Sequence, residues 1–190
     1  MQRDEEKAIV ERVLAGSSGD FAAVVKEYHA RIYALMKRQV GDPAIAEDLT
    51  QDTFLRAYAG LRSFRGDASL GTWLIRIALN QANNYFASKR YRQSRLSDSF
   101  AHDKHDAKDS GMQPGDELTF QVHVEQLRMA LEKLKPALRE VIVLCGLEGR
   151  PYEEVAAILQ IPVGTVRSRL NKARLLVKDL LLAAAAKEVA

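Results

Sequence analysis

Apolar residues recur at helical spacing through most of the chain, and turn residues divide them into segments. In the first half the breaks fall at Gly16-Ser17-Ser18-Gly19 and at Gly41-Asp42-Pro43. In the second half they fall at Lys135-Pro136, at residues 146–149 and at Ile161-Pro162. No segment shows sustained period-two alternation with β-branched residues, so no sheet is expected. The pattern predicts an all-α protein.

The run from Phe64 to Arg95 predicts a loop followed by a long helix with two different faces. One face is apolar and should be buried; it comprises Leu70, Trp73, Leu74, Ile77, Ala78, Gln81, Tyr85 and Phe86. The other face carries Arg76, Asn80, Asn83, Asn84 and Ala87 and leads to a basic cluster at Lys89, Arg90, Arg92 and Arg95. Amides and guanidinium groups contact base edges, and cations contact phosphates. The run is suited to holding an opened DNA strand, although an ordinary amphipathic helix with a solvated polar face would also fit it.

The charge distribution divides the chain into three parts. Residues 1–95 hold 15 Lys/Arg and 11 Asp/Glu, residues 96–117 hold 2 and 6, and residues 118–190 hold 11 and 8. The middle part lacks apolar periodicity and is rich in Asp, Ser and Gly, which predicts a flexible acidic linker. We therefore expect two small helical domains, 1–95 and 118–190, joined by the linker 96–117.

Residues 151–178 have the pattern of a helix-turn-helix. Val155, Ala156, Leu159, Val166 and Leu170 supply the small and apolar positions that pack two short helices together. The second helix then presents a basic surface with no intervening acid: Arg167, Ser168, Arg169, Asn171, Lys172 and Arg174. A recognition helix uses such side chains in the major groove. A generic helical hairpin with a solvated basic face is the alternative.

Composition and motifs argue against several other classes. The chain has no apolar run long enough to span a membrane and no signal-peptide pattern at its N-terminus, and its single Cys145 fits a reducing compartment, so we expect a cytoplasmic protein without membrane insertion. No nucleophile–base motif, Walker loop or HExxH occurs, so no enzyme activity and no cofactor are expected. A metal site at His102, Asp103, His105 and Asp106 is conceivable by spacing, but it would lie in the predicted linker, and we expect none.

Three segments carry a resemblance to a known family. AEDLTQDTFLRAY (46–58) and FRGDASLGTWLIRIALNQANNY (64–85) resemble region 2 of extracytoplasmic-function (ECF) sigma factors, the smallest promoter-specificity subunits of bacterial RNA polymerase. YEEVAAILQIPVGTVRSRLNKAR (152–174) resembles region 4 of the same family. The resemblance covers nearly the whole chain and is greatest to the envelope-stress branch, so residues 1–95 and 118–190 would be regions 2 and 4.

The resemblance implies roles for particular residues. Asp48, Gln51, Asp52 and Arg56 would bind core polymerase, at its β′ clamp. The opened −10 strand would be captured by Phe64, Arg65, Gly66, Asp67, Ser69, Arg76, Asn80, Asn84, Lys89 and Arg90. The −35 duplex would be contacted by Thr165, Arg167, Ser168, Arg169, Asn171 and Lys172. The implied partners are core RNA polymerase through its β′ and β subunits, promoter DNA and an anti-sigma factor.

Two other functions fit parts of the sequence. A repressor or activator that binds duplex DNA alone would share the helix-turn-helix, because this module occurs in many proteins. Such a regulator would need a ligand pocket or a dimer interface in its first half, where this chain has Asn-rich and aromatic groups suited to unstacked bases. A structural partner-binding protein would not need the basic recognition helix.

Overall fold

The computed structural model describes the backbone of residues 3–96 and 114–188 and the side chains of residues 3–89 and 122–186. The first part holds four helices: α1 (Arg3–Leu14), α2 (Phe21–Val40), α3 (Pro43–Gly60) and α4 (Leu70–Leu96). The second holds α5 (Pro114–Lys133), α6 (Pro136–Val141), α7 (Tyr152–Leu159) and α8 (Val163–Glu188). No strand occurs in these ranges, which confirms the all-α prediction. The predicted linker lies largely outside the described residues.

The N-terminal half, residues 3–96, is a bundle in which α2, α3 and α4 pack against one another and α1 packs on α2. Helix α2 buries residues spaced by three or four positions, which form one apolar stripe: Val24, Tyr28, Ile32, Leu35 and Met36. Helix α3 begins at Asp42, whose carboxylate accepts hydrogen bonds from the amides of Ala44 and Ile45. Asp20 precedes α2, but it makes no side-chain cap there, because its carboxylate pairs with Arg12. Helices α2 and α3, which contact each other, both pack against α4.

The C-terminal half, residues 114–188, is built around the long helix α8, against which α5, α6 and α7 pack. Pro136 opens α6 at its first turn, as the sequence predicts. A π-helical segment, Ile142–Leu147, continues α6 and buries Val143 and Leu144 completely. The turn between α7 and α8 begins at Gln160, which adopts a left-handed conformation with φ of 55°. The helix-turn-helix predicted for residues 151–178 is therefore present as α7, turn and α8.

The two halves pack against each other, which the sequence pattern does not predict. Helix α4 contacts α7, while α2 contacts α5 and the π-helical segment. Three residues on a second stripe of α4 are buried although the sequence pattern did not select them: Ile75, Leu79 and Ala82. Leu79 borders a cleft of about 220 Å³ whose other wall includes Ile158 and Leu159 of the C-terminal half. Leu79 therefore lies where the two halves meet.

Among the described residues, no helix combines the length and the apolar character that a membrane crossing requires.

Candidate nucleic-acid interface

A loop of six residues, 64–69, precedes α4 and forms one wall of a shallow cavity. Phe64 packs on Trp73 with ring centroids 5.3 Å apart, and both rings are partly buried. Gly66 lies at the apex with φ of 75°, a backbone conformation that other residues rarely adopt. The cavity has a volume of about 120 Å³ and is lined by Ser63, Phe64, Arg65, Gly66, Asp67, Ala68, Trp73 and Arg76. It combines aromatic surface, a carboxylate and guanidinium groups, which together suit a stacked, hydrogen-bonded base.

Ser69 fixes the point at which the loop becomes helix. Its hydroxyl oxygen accepts a hydrogen bond from the amide of Thr72 at 3.1 Å, which is the geometry of an N-cap. Trp73 follows one turn into α4, where its amide donates to the carbonyl of Ser69. The cap therefore sets the start of α4 immediately before the turn that carries Trp73.

The polar face of α4 is only partly open to solvent. Asn80 and Asn84 are exposed, as a surface that contacts bases requires. Arg76 instead donates from Nε to the carbonyl of Ile158 at 2.9 Å and from Nη2 to the carbonyl of Ala157 at 2.7 Å. Part of the predicted −10 surface is therefore engaged by the C-terminal half.

Two further groups of α4 make contacts across to the C-terminal half. Asn83 donates from Nδ2 to Oε1 of Glu140 at 2.6 Å, and Lys89 pairs with Glu132 at 3.2 Å. Arg90 lies in α4, but its side chain, like those of Arg92 and Arg95, is outside the described part.

The ion pairs between the halves all have the same charge arrangement. Besides Lys89–Glu132, Arg31 pairs with Glu154 at 3.6 Å and Arg38 with Glu148 at 3.5 Å. In each of these pairs the cation belongs to the N-terminal half and the carboxylate to the C-terminal half. The acidic side of the C-terminal half thus faces the basic side of the N-terminal half.

Glu140 lies between the halves and is affected by its burial. Desolvation raises the pKa of its carboxyl group, and the opposing effects of the Asn83 hydrogen bond and of the Arg139 and Arg169 charges are smaller. Arg139 itself is completely buried, with its guanidinium carbon 3.5 Å from the centroid of the Phe86 ring. Local sequence pattern does not predict these contacts, because Asn83 and Phe86 belong to the other half.

The residues expected to bind polymerase lie together on α3. Asp48, Gln51, Asp52 and Arg56 are all exposed, and Leu55 beside them is 68% exposed. Gln51 donates to the carboxylate of Glu47 one turn earlier, which also lies 3.4 Å from His29. The face is therefore a mainly acidic surface with an apolar residue at its centre.

The second helix of the helix-turn-helix presents the side chains that the sequence singles out. Val166, Leu170 and Ala173 are buried and anchor α8 in the C-terminal half. The opposite side exposes Arg167, Ser168, Asn171 and Lys172, while Thr165 and Arg169 are partly buried. Arg167 lies 5.8 Å from the ring of Tyr152 on α7. A row of donors is thus displayed near the start of α8, where recognition helices contact base edges.

Two remaining sequence features concern metal binding and the single cysteine. The His102–Asp106 cluster lies outside the described residues, and within those described no group of three or more His, Cys, Asp or Glu side chains could hold a metal. Cys145 is partly buried, and desolvation raises the pKa of its thiol, with the nearby Arg174 opposing. A thiol with a raised pKa is a weak nucleophile near neutral pH.

Comparison with protein families assigns both halves. The family model described as Sigma-70 region 2 matches residues 24–92, and that described as Sigma-70, region 4 matches residues 124–177. The RNA polymerase sigma-H factor of Pseudomonas aeruginosa is 36% identical over 184 residues, which cover 92% of each chain. The chain belongs to the ECF sigma factors. The ECF RNA polymerase sigma-E factors of Salmonella typhimurium and Escherichia coli are each 36% identical over 174 residues, covering 89% of this chain and 90% of theirs.

Solved structures give the same assignment for the fold of this ECF sigma factor. CnrH in complex with the cytosolic domain of CnrY superposes with a TM-score of 0.61 at 23% identity, covering 94% of this chain and 97% of CnrH, which shows a shared fold. The sigma factor RpoE in complex with the anti-sigma factor NepR from Bartonella quintana has a TM-score of 0.57 at 29% identity and covers 85% of this chain and 96% of that one. The family resemblance seen in the sequence is thereby confirmed.

Proposed function

We propose that this sigma factor joins core RNA polymerase and directs it to promoters with −35 and −10 elements, where it captures the melted non-template −10 strand. Residues 1–95 would contain region 2, residues 118–190 region 4, and residues 96–117 the linker. Extruding a base from the duplex costs a few kcal/mol. Only a promoter whose extruded base makes good contacts in the receiving pocket offsets this cost. Sequence choice and strand opening are thereby coupled.

The observation that carries this proposal is the cavity lined by Phe64 and Trp73, with exposed amides of α4 further along the same helix. Phe64, Trp73 and Arg76 line the cavity, and Asn80 lies one turn beyond Arg76. A protein that binds only duplex DNA has no use for an aromatic pocket of this kind. The arrangement favours a sigma factor over a conventional helix-turn-helix regulator.

The C-terminal half would contact the −35 duplex through α8. Arg167, Asn171 and Lys172 are exposed on one side of the helix, where Arg pairs with guanine and Asn with adenine in the major groove. Thr165 and Ser168 would contribute contacts near the helix start. The exposed face of α3, with Asp48, Gln51, Asp52 and Arg56, would dock on the polymerase clamp.

An anti-sigma factor is the proposed inhibitor. Two of the structural neighbours were solved in complex with CnrY and with the anti-sigma factor NepR, respectively. A partner of this kind would hold the surfaces that bind polymerase and DNA until a signal releases it.

Transcription in vitro tests the proposed function. Purified protein and bacterial core polymerase are incubated with a fragmented genomic library, and transcript starts are mapped. Starts that require the protein and share −35 and −10 sequences support the proposal. Footprints on duplex DNA in the absence of polymerase, without transcripts, would assign the chain to the duplex-binding regulators instead.

Asn80→Ala then tests the −10 surface. It should lower open-complex formation and leave the affinity for core polymerase unchanged, because Asn80 is exposed on α4, away from the proposed polymerase face on α3. Open-complex formation is measured on one promoter from the library, and the affinity for core polymerase is measured in a separate binding assay. Loss of core binding would contradict the assignment of roles.

A further inference from the structure

Helix α1 contacts the 64–69 loop and also the first residue of α4. Arg3 donates from Nη2 to the carbonyl of Gly66, at the apex of the loop, at 2.8 Å. Glu6 accepts from the amide of Leu70, the first residue of α4, at 3.0 Å through its Oε2. The apex of the loop and its exit into α4 are therefore both attached to α1.

Glu6 is an unusual residue for such a place. It is 4% exposed, and carboxylates are rarely buried unless they are fully hydrogen-bonded. Its Oε1 accepts from the hydroxyl of Tyr28 on α2. Its two oxygens therefore join α2 to the N-terminus of α4, where the helix dipole favours a negative group.

Tyr28 is itself held in place. A Cβ atom on Gly71 would lie 2.9 Å from the Tyr28 ring, so glycine at this position is what allows the ring to lie against the start of α4. Burial and the hydrogen bond to Glu6 raise the pKa of Tyr28, which keeps its hydroxyl a donor to Glu6. The Tyr28–Glu6–Leu70 connection is therefore a fixed one.

The α1 residues in these contacts lie outside the part of the chain that the region 2 model covers. The region 2 model begins at residue 24, whereas Arg3 and Glu6 are in α1. None of the residues expected to contact DNA or polymerase lies in α1. The helix nevertheless holds the segment that lines the cavity.

We propose that Glu6 and Arg3 are positioning residues, which hold the 64–69 loop open in the shape that receives an unstacked −10 base. The inference rests on the proposed function, since it assigns a role to α1 in base capture. A loop already held in its receiving shape loses little conformational freedom when the base enters, so capture is more favourable. Without these two contacts the base would have to supply more of the ordering of the loop.

Trp73 provides a direct probe, because it is the only tryptophan of the chain and lines the cavity. Arg3→Ala and Glu6→Gln should both make Trp73 more accessible to acrylamide, by about twofold in the quenching constant, because an unanchored loop exchanges among conformations. Arg3 is exposed, so its removal should leave the melting temperature unchanged. Glu11→Gln is the matched control, an exposed glutamate on the same helix.

The functional measurement uses the complete holoenzyme on a promoter from the transcription experiment, with 2-aminopurine at the unstacked −10 position. The two α1 variants should slow the rise in 2-aminopurine fluorescence by about tenfold, as expected when a binding group is misplaced, with core affinity unchanged. Phe64→Ala serves as the reference for loss of the pocket.

The outcomes distinguish the positioning role of α1 from the proposed capture of the −10 base. If Phe64→Ala slows base unstacking but Arg3→Ala does not and leaves Trp73 quenching as in the wild type, α1 has no positioning role. If Phe64→Ala itself has no effect, the proposed capture function is wrong, whatever the α1 variants do. If Glu6→Gln merely unfolds, Arg3→Ala alone decides the question.

Discussion

Arg76 makes two hydrogen bonds to the C-terminal half, and replacing it with alanine should favour separation of the two halves. Its guanidinium donates to the carbonyls of Ala157 and Ile158, which belong to the last turn of α7. Carbonyls in a last turn lack partners within the helix and carry its partial negative charge, so a cation is favoured there. The alanine variant leaves both carbonyls without this donor.

The size of the effect follows from the geometry. A hydrogen bond from a charged donor contributes about 1.5–3 kcal/mol. Arg76 is partly exposed, so water replaces some of what is lost, and we expect about 2 kcal/mol for both bonds together. Because about 1.4 kcal/mol corresponds to tenfold, the equilibrium between packed and separated halves should shift about thirtyfold.

Small-angle X-ray scattering across a series of NaCl concentrations measures this shift. A compact chain of 190 residues has a radius of gyration of about 16 Å, which rises when the halves separate. Salt should promote separation, since the ion pairs between the halves are partly exposed and therefore screened. The midpoint of this separation should occur at a lower salt concentration for Arg76→Ala than for the wild type.

Arg62→Ala is the control, because Arg62 is an exposed arginine of the same half. Its scattering curves should match those of the wild type. Coincident curves for Arg76→Ala and Arg62→Ala would refute the argument that the α7 carbonyls hold the halves together through Arg76.

Three further predictions concern other parts of the molecule. Because burial raises the pKa of Glu140, the folded protein holds this proton more tightly than the unfolded chain, so the group's contribution to stability is lost as pH rises above about 4 towards the folded pKa. Glutamine cannot ionise, so in Glu140→Gln the free energy of unfolding, measured by urea denaturation from acid to neutral pH, should fall less with rising pH than in the wild type. An unchanged pH profile would contradict this prediction. Leu74→Ala should cost about 2–5 kcal/mol of unfolding free energy because Leu74 is completely buried, whereas Leu55→Ala, at a 68% exposed position, should change it by less than about 0.5 kcal/mol. Arg167→Ala should weaken discrimination at the −35 element by about 1–3 kcal/mol in competition binding by the holoenzyme, and an unchanged preference would remove this residue from the −35 surface.

The helices and their buried faces were largely predictable because local patterns determine them. The apolar spacing along α2 and α4 and the breaks at Gly41 and Pro136 all correspond to observed features. Trp73, Ile77 and Tyr85, all expected in the buried stripe, are only partly buried, and the Trp73 ring forms part of the cavity wall. Local pattern identifies the side of a helix that turns inward but not how completely it is covered.

Contacts between distant segments were not predictable from local pattern. Glu6 belongs to a charged N-terminal stretch that looks solvated, yet it is buried because Tyr28 and Leu70 approach it from two other helices. Arg76 was correctly placed on the polar face of α4, but its partners in α7 are more than eighty positions further along the chain. The roles assigned to the individual DNA- and polymerase-binding residues stay predictions.

The polar character of the contacts between the halves has a thermodynamic consequence. Arg76, Asn83 and Lys89 meet carbonyls and carboxylates there, so separating the halves exposes polar as well as apolar surface. Exposure of polar surface lowers the heat capacity, whereas exposure of apolar surface raises it, and the two contributions partly cancel. Separation should therefore produce only a small heat-capacity change. A calorimetric scan would record mainly the melting of the two helical cores. Separation of the halves would contribute little to the measured heat capacity.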